Sequence, residues 1–262
     1  MATTNEKKAL ITGASEGIGR DLCVLLAKQG FTITGVARNS SRLESLISEL
    51  KKISPAAHDF QVCDLGQPSD VARLGAFIES HHYDVLVNNA GFGAYGEFSR
   101  TPLQKLESMI QLNCTALVAL AHAFLRGARP GDALVNIASV AAFISLPGNA
   151  VYSATKAFVH NLTVSLWFEG KRRGVYVCSI CPGYTDTQFA SRAGGDPNKA
   201  PRTFAITSEA VAASIVRAIQ KRTSVQVVPD VMNRIMVFLL RFLPQTWIVR
   251  AVHRATRKAF GE

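Results

Sequence analysis

The chain has 262 residues, of which 48% are hydrophobic and 18% charged, and its 29 basic and 19 acidic side chains give a formal net charge of +10. A chain of this length and apolar content can bury one large core, which excludes a disordered tail or linker protein. Five cysteines are too few for a disulfide framework, and the polar opening segment lacks the apolar stretch of a secretion signal, so we expect a reducing, cytoplasmic location.

Short apolar runs alternate along the chain with longer stretches of helical periodicity. The runs are continuous, which is typical of strands buried on both faces, and the intervals leave room for crossover helices, as at 18–29 and 103–126. The runs lie at 9–12, 32–37, 85–87, 133–137, 175–180 and 225–228. This order predicts an α/β protein with a doubly wound Rossmann fold, in which residues 1–230 form one domain around a central parallel sheet flanked by helices.

The first apolar run leads into a glycine-rich turn and then a helix. Gly13 permits the tight turn, while Gly17 and Gly19 allow a pyrophosphate to approach the helix N terminus, whose N–H groups and dipole favour an anion. A position between strand and helix is the context of a dinucleotide site; a turn that merely needs glycines is the alternative. The candidate cofactor residues here are Gly13, Ser15, Glu16, Gly17, Ile18 and Gly19.

Arg38 stands nineteen residues after Gly19, where an NAD site has an acidic residue for the ribose 2′-hydroxyl. A guanidinium at this position suits a 2′-phosphate through bidentate charge-assisted hydrogen bonds. The sequence therefore predicts NADP(H) in preference to NAD(H), with an ordinary solvated loop arginine as the alternative.

Tyr152 and Lys156 are four positions apart in a predicted helix, so both side chains project from one face. A phenol with a pKa of about 10 transfers protons poorly at neutral pH, and a neighbouring ammonium is expected to lower that pKa. For a tyrosine–lysine pair in isolation, the alternative is that both are ordinary surface side chains. Ser139, however, follows the strand at 133–137, and Asn88–Gly91 end the strand at 85–87, both at the sheet edge where ligands bind.

Together these motifs resemble the short-chain dehydrogenase/reductase family in its shorter, single-domain branch. The resemblance covers about residues 5–230. It rests on the glycine turn, Asp64-Leu65, the NNAG segment at 88–91, Asn113, Ser139, the YxxxK pair and the PGYTDT segment at 182–187.

The resemblance implies roles for four catalytic residues. Tyr152 would protonate a carbonyl oxygen during reduction, and Lys156 would lower the tyrosine pKa and bind the nicotinamide ribose. Ser139 would hold the substrate oxygen, and Asn113 would support a water in the proton relay. The other implied cofactor contacts are Asp64 and Leu65 at the adenine, Asn89, Ala90 and Gly91 along the adenosine, and Pro182, Gly183, Thr185 and Thr187 around the nicotinamide and phosphates.

The resemblance also implies a homodimer or homotetramer formed through the helices around 103–126 and 153–170.

One departure from the family pattern concerns the cofactor, because many NADP-using relatives have a basic residue within the glycine turn, where this chain has Ser15 and Glu16. The predicted preference for NADP(H) therefore rests nearly on Arg38 alone.

The residues expected to border the substrate are mostly apolar, which predicts a lipophilic ketone, aldehyde or secondary alcohol; a place in the core is the alternative for each. They are Phe92, Tyr95, Phe143, Leu146, Tyr184 and Phe189. Residues 191–202, with two glycines and two prolines, have the composition of a mobile lid.

Cys178 and Cys181 lie along a predicted strand and are interpreted as structural. The histidines lack partners at ligand spacing, so no metal centre is expected.

Residues 231–262 are predicted to form a basic amphipathic helical extension. They contain six basic residues and one acidic residue, which is half of the net charge. The apolar run at 235–240 is too short to span a bilayer, which needs about 20 residues. The extension either docks peripherally on an anionic membrane or packs against the domain, a substrate entrance or a second subunit, and the second interpretation is favoured. A nucleic-acid partner is not expected.

The sequence thus predicts an NADP(H)-dependent oxidoreductase that interconverts a carbonyl and an alcohol on a small to medium lipophilic molecule. A catalytically silent NADP-binding sensor or scaffold is the alternative, although such a protein has no need of Ser139 or Asn113. An epimerase or dehydratase is a third interpretation, but longer relatives with such chemistry usually carry a separate substrate domain.

Overall fold

A computed structural model describes residues 6–187, 189, 193 and 205–260. Its main feature is a seven-stranded parallel sheet in the order β3-β2-β1-β4-β5-β6-β9. The strands are β1 (Lys8–Thr12), β2 (Thr32–Ala37), β3 (Asp59–Val62), β4 (Val85–Asn88), β5 (Ala133–Ile137), β6 (Tyr176–Ile180) and β9 (Gln226–Val227). A separate parallel pair consists of β7 (Thr185–Asp186) and β8 (Ile206–Thr207). The predicted α/β Rossmann fold is confirmed.

Helices cover both faces of the sheet. They are α1 (Gly17–Ala27), α2 (Ser40–Ile53), α3 (Pro68–Ser80), α4 (Leu103–Ile110), α5 (Leu117–Gly127), α6 (Ala150–Arg172), α7 (Ser208–Lys221), α8 (Val231–Leu240) and α9 (Gln245–Phe260). Successive residues of β1 point to opposite faces, so that Ile11 packs with α1, α2 and α7, whereas Leu10 packs with α3 and α5. Burial on both faces explains why the strand runs are continuously apolar.

Strand β3 is missing from the predicted strands. It lies at the edge of the sheet, paired only with β2, and its four residues are exposed or half-buried. A search for continuous apolar runs finds strands buried on both faces, so it overlooks an edge strand with the sequence Asp-Phe-Gln-Val.

The predicted helix at 103–126 is a continuous helical stretch that changes type at its centre. Gln111–Ala116 form a π-helical segment between α4 and α5, and such segments are frequent at functional sites. The helical stretch 103–127 is long and apolar enough to cross a membrane by length and composition, but half of its most apolar 18-residue window is buried inside the fold. We therefore assign it as a core helix.

Helices α8 and α9 form the predicted helical extension. Asn233 and Val237 are the buried residues of α8, and the helix packs against a short 3₁₀ helix at Val140–Phe143. In α9, Ile248 is buried. The residues of the predicted lid, 191–202, lie outside the described residues apart from Ala193.

Candidate active site

The glycine-rich turn packs tightly against the end of β4. Gly13 and Gly17 have φ values of +68° and +52°, in the left-handed region that favours glycine. A Cβ on Gly19 would lie 2.3 Å from the carbonyl oxygen of Gly13 and 2.6 Å from Asn89 Nδ2. Asn89 Nδ2 donates to the carbonyl oxygen of Thr12 (2.9 Å), and its backbone N–H donates to Thr12 Oγ1 (2.9 Å). The NNAG segment is thereby fixed beside the turn.

The first turn of α1 is shaped to receive an anion. The N-cap residue Glu16 makes no side-chain capping hydrogen bond, and no acidic residue lies in the first helical turn. The carboxylate of Glu16 is paired instead with the guanidinium of Arg42 from α2. The helix N terminus therefore offers its N–H groups and dipole beside a neutralised acid, which fits a dinucleotide pyrophosphate.

Arg38 lies directly after β2 at the same edge of the sheet, with an exposed side chain. Among the residues that the structure describes, no ion pair involves its guanidinium. Arg42 follows one helical turn later and contacts Glu16. Sequence reasoning missed Arg42, and the available signal was a second basic residue four positions after Arg38. Arg42 offsets the acidic residue that the sequence places within the turn.

Asp64 and Leu65 follow β3 along this edge of the sheet. Leu65 is buried, and the Asp64 carboxylate accepts a hydrogen bond from the backbone N–H of Gly66 (3.0 Å). The backbone N–H of Asp64 donates to Asp70 Oδ2 (2.7 Å), which fixes the loop. These contacts place the predicted adenine residues one strand beyond Arg38.

The segment at 182–187 lies between the glycine turn and α8. A Cβ on Gly17 would lie 3.2 Å from Thr187 Cγ2, so Thr187 is adjacent to the turn. The carbonyl oxygen of Pro182 accepts a hydrogen bond from Val140 N–H (2.9 Å). Gly183 faces α8, because a Cβ there would lie 2.1 Å from Asn233 Nδ2. The predicted nicotinamide segment and the predicted pyrophosphate turn are therefore neighbours.

Asn113 lies in the π-helical segment and is only 2% exposed. Its Oδ1 accepts from Phe92 N–H (3.1 Å), and its Nδ2 donates to the carbonyl oxygen of Phe92 (2.9 Å) and to Thr155 Oγ1 (3.1 Å). A Cβ on Gly91 would lie 3.0 Å from Asn113 Oδ1 and 3.6 Å from Lys156 Nζ. Three segments distant in sequence therefore meet at this point.

Ser139 lies near Tyr152 at the carboxyl edge of the sheet, close enough for its hydroxyl to influence the pKa of the phenol. Ser139 caps the 3₁₀ helix that follows β5: its Oγ accepts from Ala141 N–H (3.1 Å). Burial raises the pKa of the Tyr152 phenol above its ordinary value, and the nearby Ser139 hydroxyl acts in the opposite direction. Since burial is the larger effect, the phenol holds its proton at neutral pH.

Lys156 lies one helical turn after Tyr152 but interacts mainly with the backbone of β5. Its Nζ donates to the carbonyl oxygen of Ile137 (2.8 Å) and lies 5.8 Å from the centre of the Tyr152 ring. Burial lowers the pKa of Lys156 to about 8. In this arrangement burial is the larger influence on the pKa of the Tyr152 phenol and Ser139 opposes it; the role of Lys156 in lowering that pKa stays a prediction.

Three of the six predicted substrate residues, Phe92, Tyr95 and Phe189, lie near the phenol, and a fourth, Tyr184, interacts with Tyr95. The Tyr152 and Phe189 rings are 5.6 Å apart, Phe92 and Tyr152 pack against one apolar cluster, and Tyr95 interacts electrostatically with both Tyr152 and Tyr184. A Cβ on Gly93 would lie 3.3 Å from Phe189 and 3.4 Å from Tyr152, so glycine keeps this space open.

The other two predicted substrate residues have different surroundings. Phe143 packs edge-on against His160 at 4.7 Å and joins an apolar cluster that contains Val159 and Cys181. Leu146 accepts a backbone hydrogen bond from Asn149 N–H (3.0 Å). The core alternative therefore describes the contacts of Phe143 better than a place beside the phenol does.

Cys178 and Cys181 are free and buried, and they belong to different apolar clusters. Burial raises the pKa of both thiols, to about 11 for Cys178 and about 12 for Cys181, which disfavours the reactive thiolate. Among the residues that the structure describes, no group of three histidine, cysteine or acidic side chains is arranged to hold a metal ion.

Comparison with known proteins places these features in context. A family model described as short chain dehydrogenase matches residues 7–197. A 3beta-hydroxysteroid dehydrogenase of Mediterraneibacter gnavus is 31% identical over 200 residues, which cover 75% of this chain and 72% of the relative.

Two solved structures extend this similarity to the fold. A short-chain dehydrogenase from Sphingobium yanoikuyae in complex with NADPH is 30% identical with a TM-score of 0.80, and the match covers 91% of this chain and 97% of the other. A bulky-bulky ketone specific alcohol dehydrogenase from Comamonas testosteroni is 29% identical with a TM-score of 0.77, covering 92% and 96%.

Proposed function

The chain belongs to the short-chain dehydrogenase family of oxidoreductases, and from that premise we propose that it interconverts a carbonyl and an alcohol on a small to medium lipophilic substrate, with NADP(H) as cofactor. In this proposal residues 1–230 are the catalytic domain. The observation that carries it is a buried, protonated Tyr152 with the Ser139 hydroxyl nearby, placed beside an apolar cluster at the sheet edge.

The chemistry depends on a proton held at the Tyr152 hydroxyl. When bound, the nicotinamide cofactor supplies or accepts the hydride. Burial keeps Tyr152 protonated, so its hydroxyl can donate to a carbonyl oxygen in the reducing direction. Ala141 N–H donates to Ser139 Oγ, and the serine hydroxyl itself donates only a long hydrogen bond to the carbonyl oxygen of Pro182 (3.4 Å). The serine can therefore turn its hydrogen from Pro182 toward the same substrate oxygen. Two donors then stabilise the negative charge that develops there.

Lys156 and Asn113 would help to replace the proton that Tyr152 donates. With a pKa of about 8, Lys156 can release a proton near neutral pH, so it can resupply the site once Tyr152 has donated. Gly91 lies between Lys156 Nζ and Asn113 Oδ1, and the absence of a side chain there leaves room for a bridging water. We therefore assign these two residues to proton supply.

The preference for NADP(H) follows from charge around the glycine turn. The pyrophosphate would lie at the first turn of α1, and the exposed guanidinium of Arg38 would bind the 2′-phosphate. Arg42 supports this assignment, because its pairing with Glu16 neutralises the acid that would otherwise repel phosphate. The NADPH complex of the Sphingobium relative is consistent with it.

A homo-oligomer is proposed through the helices at 103–126 and 153–170. Large apolar side chains are exposed on the outer surface of both, which is unusual for helices that face only solvent. They are Leu103, Ile110 and Val118 on the first and Phe158 and Phe168 on the second.

The test is a panel of ketones, aldehydes and secondary alcohols, with NADPH, NADH and their oxidised forms, followed by the absorbance of the reduced nicotinamide. We expect turnover of bulky apolar ketones with a lower KM for NADPH than for NADH. If the protein binds NADPH in a fluorescence titration but turns over none of the panel, the catalytic proposal is wrong and a silent binder remains. A preference for NADH contradicts only the role of Arg38.

A further inference from the structure

Exposed apolar side chains are concentrated in the C-terminal extension. Of the fifteen large apolar side chains that are exposed in the described part of the chain, eight lie within residues 231–247. Phe242 is 71% exposed and Trp247 64%. We call the surface formed by Met232, Ile235, Phe238, Leu239, Phe242 and Trp247 the C-terminal apolar face. The Phe238 and Phe242 rings are 5.3 Å apart, so this surface is continuous across the helix turn.

Among the residues that the structure describes, the domain covers only the opposite side of α8. Asn233 and Val237 are buried, and α8 packs there against the 3₁₀ helix at Val140–Phe143. Within the described residues the C-terminal apolar face thus points away from the domain. A cluster of large, exposed apolar side chains is unusual on a monomer surface and marks a docking site.

The exposed charged residues in the same segment are arginines, and their charge identifies the occupant of the face. Arg234, Arg241, Arg250 and Arg254 are all exposed, and the sequence from 231 to 260 contains no acidic residue. A second copy of the chain seated on this surface would bring arginines against arginines, which is unfavourable. Anionic phosphate headgroups over an apolar layer complement both features.

The extension is too short to span a bilayer. Helix α8 has ten residues and is about 15 Å long, half of the roughly 30 Å of hydrocarbon in a bilayer. Exposed tryptophan and phenylalanine together with exposed arginines in one short helical segment are typical of a helix that lies in the plane of the membrane surface.

We propose that the C-terminal apolar face binds the surface of an anionic lipid bilayer, with Phe238, Phe242 and Trp247 inserted among the lipids. The inner side of α8 contacts Gly183 in the predicted nicotinamide segment. The bilayer therefore lies about one helix diameter, roughly 10 Å, from the active site. On the proposed function, lipophilic substrates dissolved in the membrane would enter at this side.

The test uses the full-length chain and vesicles of phosphatidylcholine, with and without phosphatidylglycerol. The chain has two tryptophans, and Trp167 is partly buried with Lys171 over its ring at 5.4 Å. Trp167→Phe therefore leaves Trp247 as the single reporter. We expect sedimentation with the anionic vesicles, a blue shift of Trp247 emission, and quenching by brominated lipid; none of these requires enzymatic activity.

Matched variants separate apolar insertion from charge. Phe242→Ser should weaken vesicle binding by about tenfold, because a phenylalanine side chain no longer inserts among the lipids. Phe98 is 64% exposed outside the C-terminal apolar face, so Phe98→Ser should leave vesicle binding unchanged. Arg250→Glu/Arg254→Glu should weaken binding by about 30-fold or more, at about fivefold for each basic residue near an anionic surface. Lys51→Glu/Lys52→Glu changes the net charge equally at the end of α2 and should have little effect.

Three results would overturn the proposal. The first is a full-length chain that binds neither kind of vesicle. The second is a protein that sediments with vesicles while brominated lipid does not quench Trp247. The third is a Phe242→Ser variant that binds vesicles normally but has a lower mass by light scattering, which would assign the face to a second copy of the chain.

Discussion

Removing the buried charge of Lys156 should make the protein more stable at neutral pH while abolishing efficient turnover. Burial lowers the pKa of Lys156 from its ordinary value of 10.5 to about 8. This difference corresponds to roughly 3 kcal/mol of unfavourable burial while both folded and unfolded chains are protonated. Lys156→Met keeps the length of the side chain and removes the charge.

The sign of the pH dependence follows from proton binding. Between pH 8 and 10.5 the unfolded chain binds more protons at this lysine than the folded chain does, so the free energy of unfolding of the wild type rises with pH in this window. The variant lacks this rise, but it leaves the carbonyl oxygen of Ile137 without its donor, at a cost of about 1–2 kcal/mol. We expect the variant to be about 1–2 kcal/mol more stable at pH 7 and to lose that advantage by pH 10.

Urea denaturation of both proteins at pH 7 and pH 10 measures this difference. Groups that titrate equally in both proteins cancel, so the change between the two pH values reports on Lys156. Lys105→Met, at an exposed position of α4, controls for the gain in hydrophobicity. A Lys156→Met variant that is less stable at both pH values by the same amount would refute the reasoning.

Three further changes test the cofactor site and the substrate oxygen site. Gly19→Ala places a Cβ 2.3 Å from the carbonyl oxygen of Gly13. The variant should unfold at a lower Tm, because this overpacking costs about 1–3 kcal/mol and should exceed the gain of about 1 kcal/mol in helix propensity. Gly127→Ala, whose Cβ would have no atom within 4 Å, is the control and should not lower Tm in the same thermal scan. Arg38→Ser should raise KM for NADPH at least tenfold and leave KM for NADH unchanged, and equal effects on both would contradict the 2′-phosphate assignment. Ser139→Ala should lower kcat by about 10²-fold and leave the Kd for NADPH unchanged. A change in Kd without a change in kcat would show that Ser139 binds the cofactor instead of the substrate oxygen.

The central strands and the glycine turn could be predicted because their physical requirements are local. A strand buried on both faces needs a continuous apolar run, and the turn between β1 and α1 needs glycines at positive φ or in close packing. Strand β3 could not be found in this way, because its pairing with β2 at the sheet edge imposes little apolar patterning.

The remaining features of the site depend on contacts between distant segments. The pairing of Arg42 with Glu16 joins α2 to the glycine turn across 26 residues; a second basic residue after Arg38 is visible in the sequence, but its acidic partner is not. The direction of the Tyr152 pKa is set by burial under surrounding segments, which the local sequence does not indicate. The aromatic character of Phe143 gave no sign that it packs against His160 instead of Tyr152. The catalytic roles, the lid and the domain boundary stay predictions.

Replacing Tyr152 by phenylalanine tests the central claim most directly, because it removes one hydroxyl and keeps the ring that packs against Phe189. The account predicts that kcat with NADPH and a ketone substrate falls by about 10²–10⁴-fold, while the Kd for NADPH stays nearly unchanged. A Tyr152→Phe variant that retained a tenth or more of the wild-type kcat would show that the proton comes from another group.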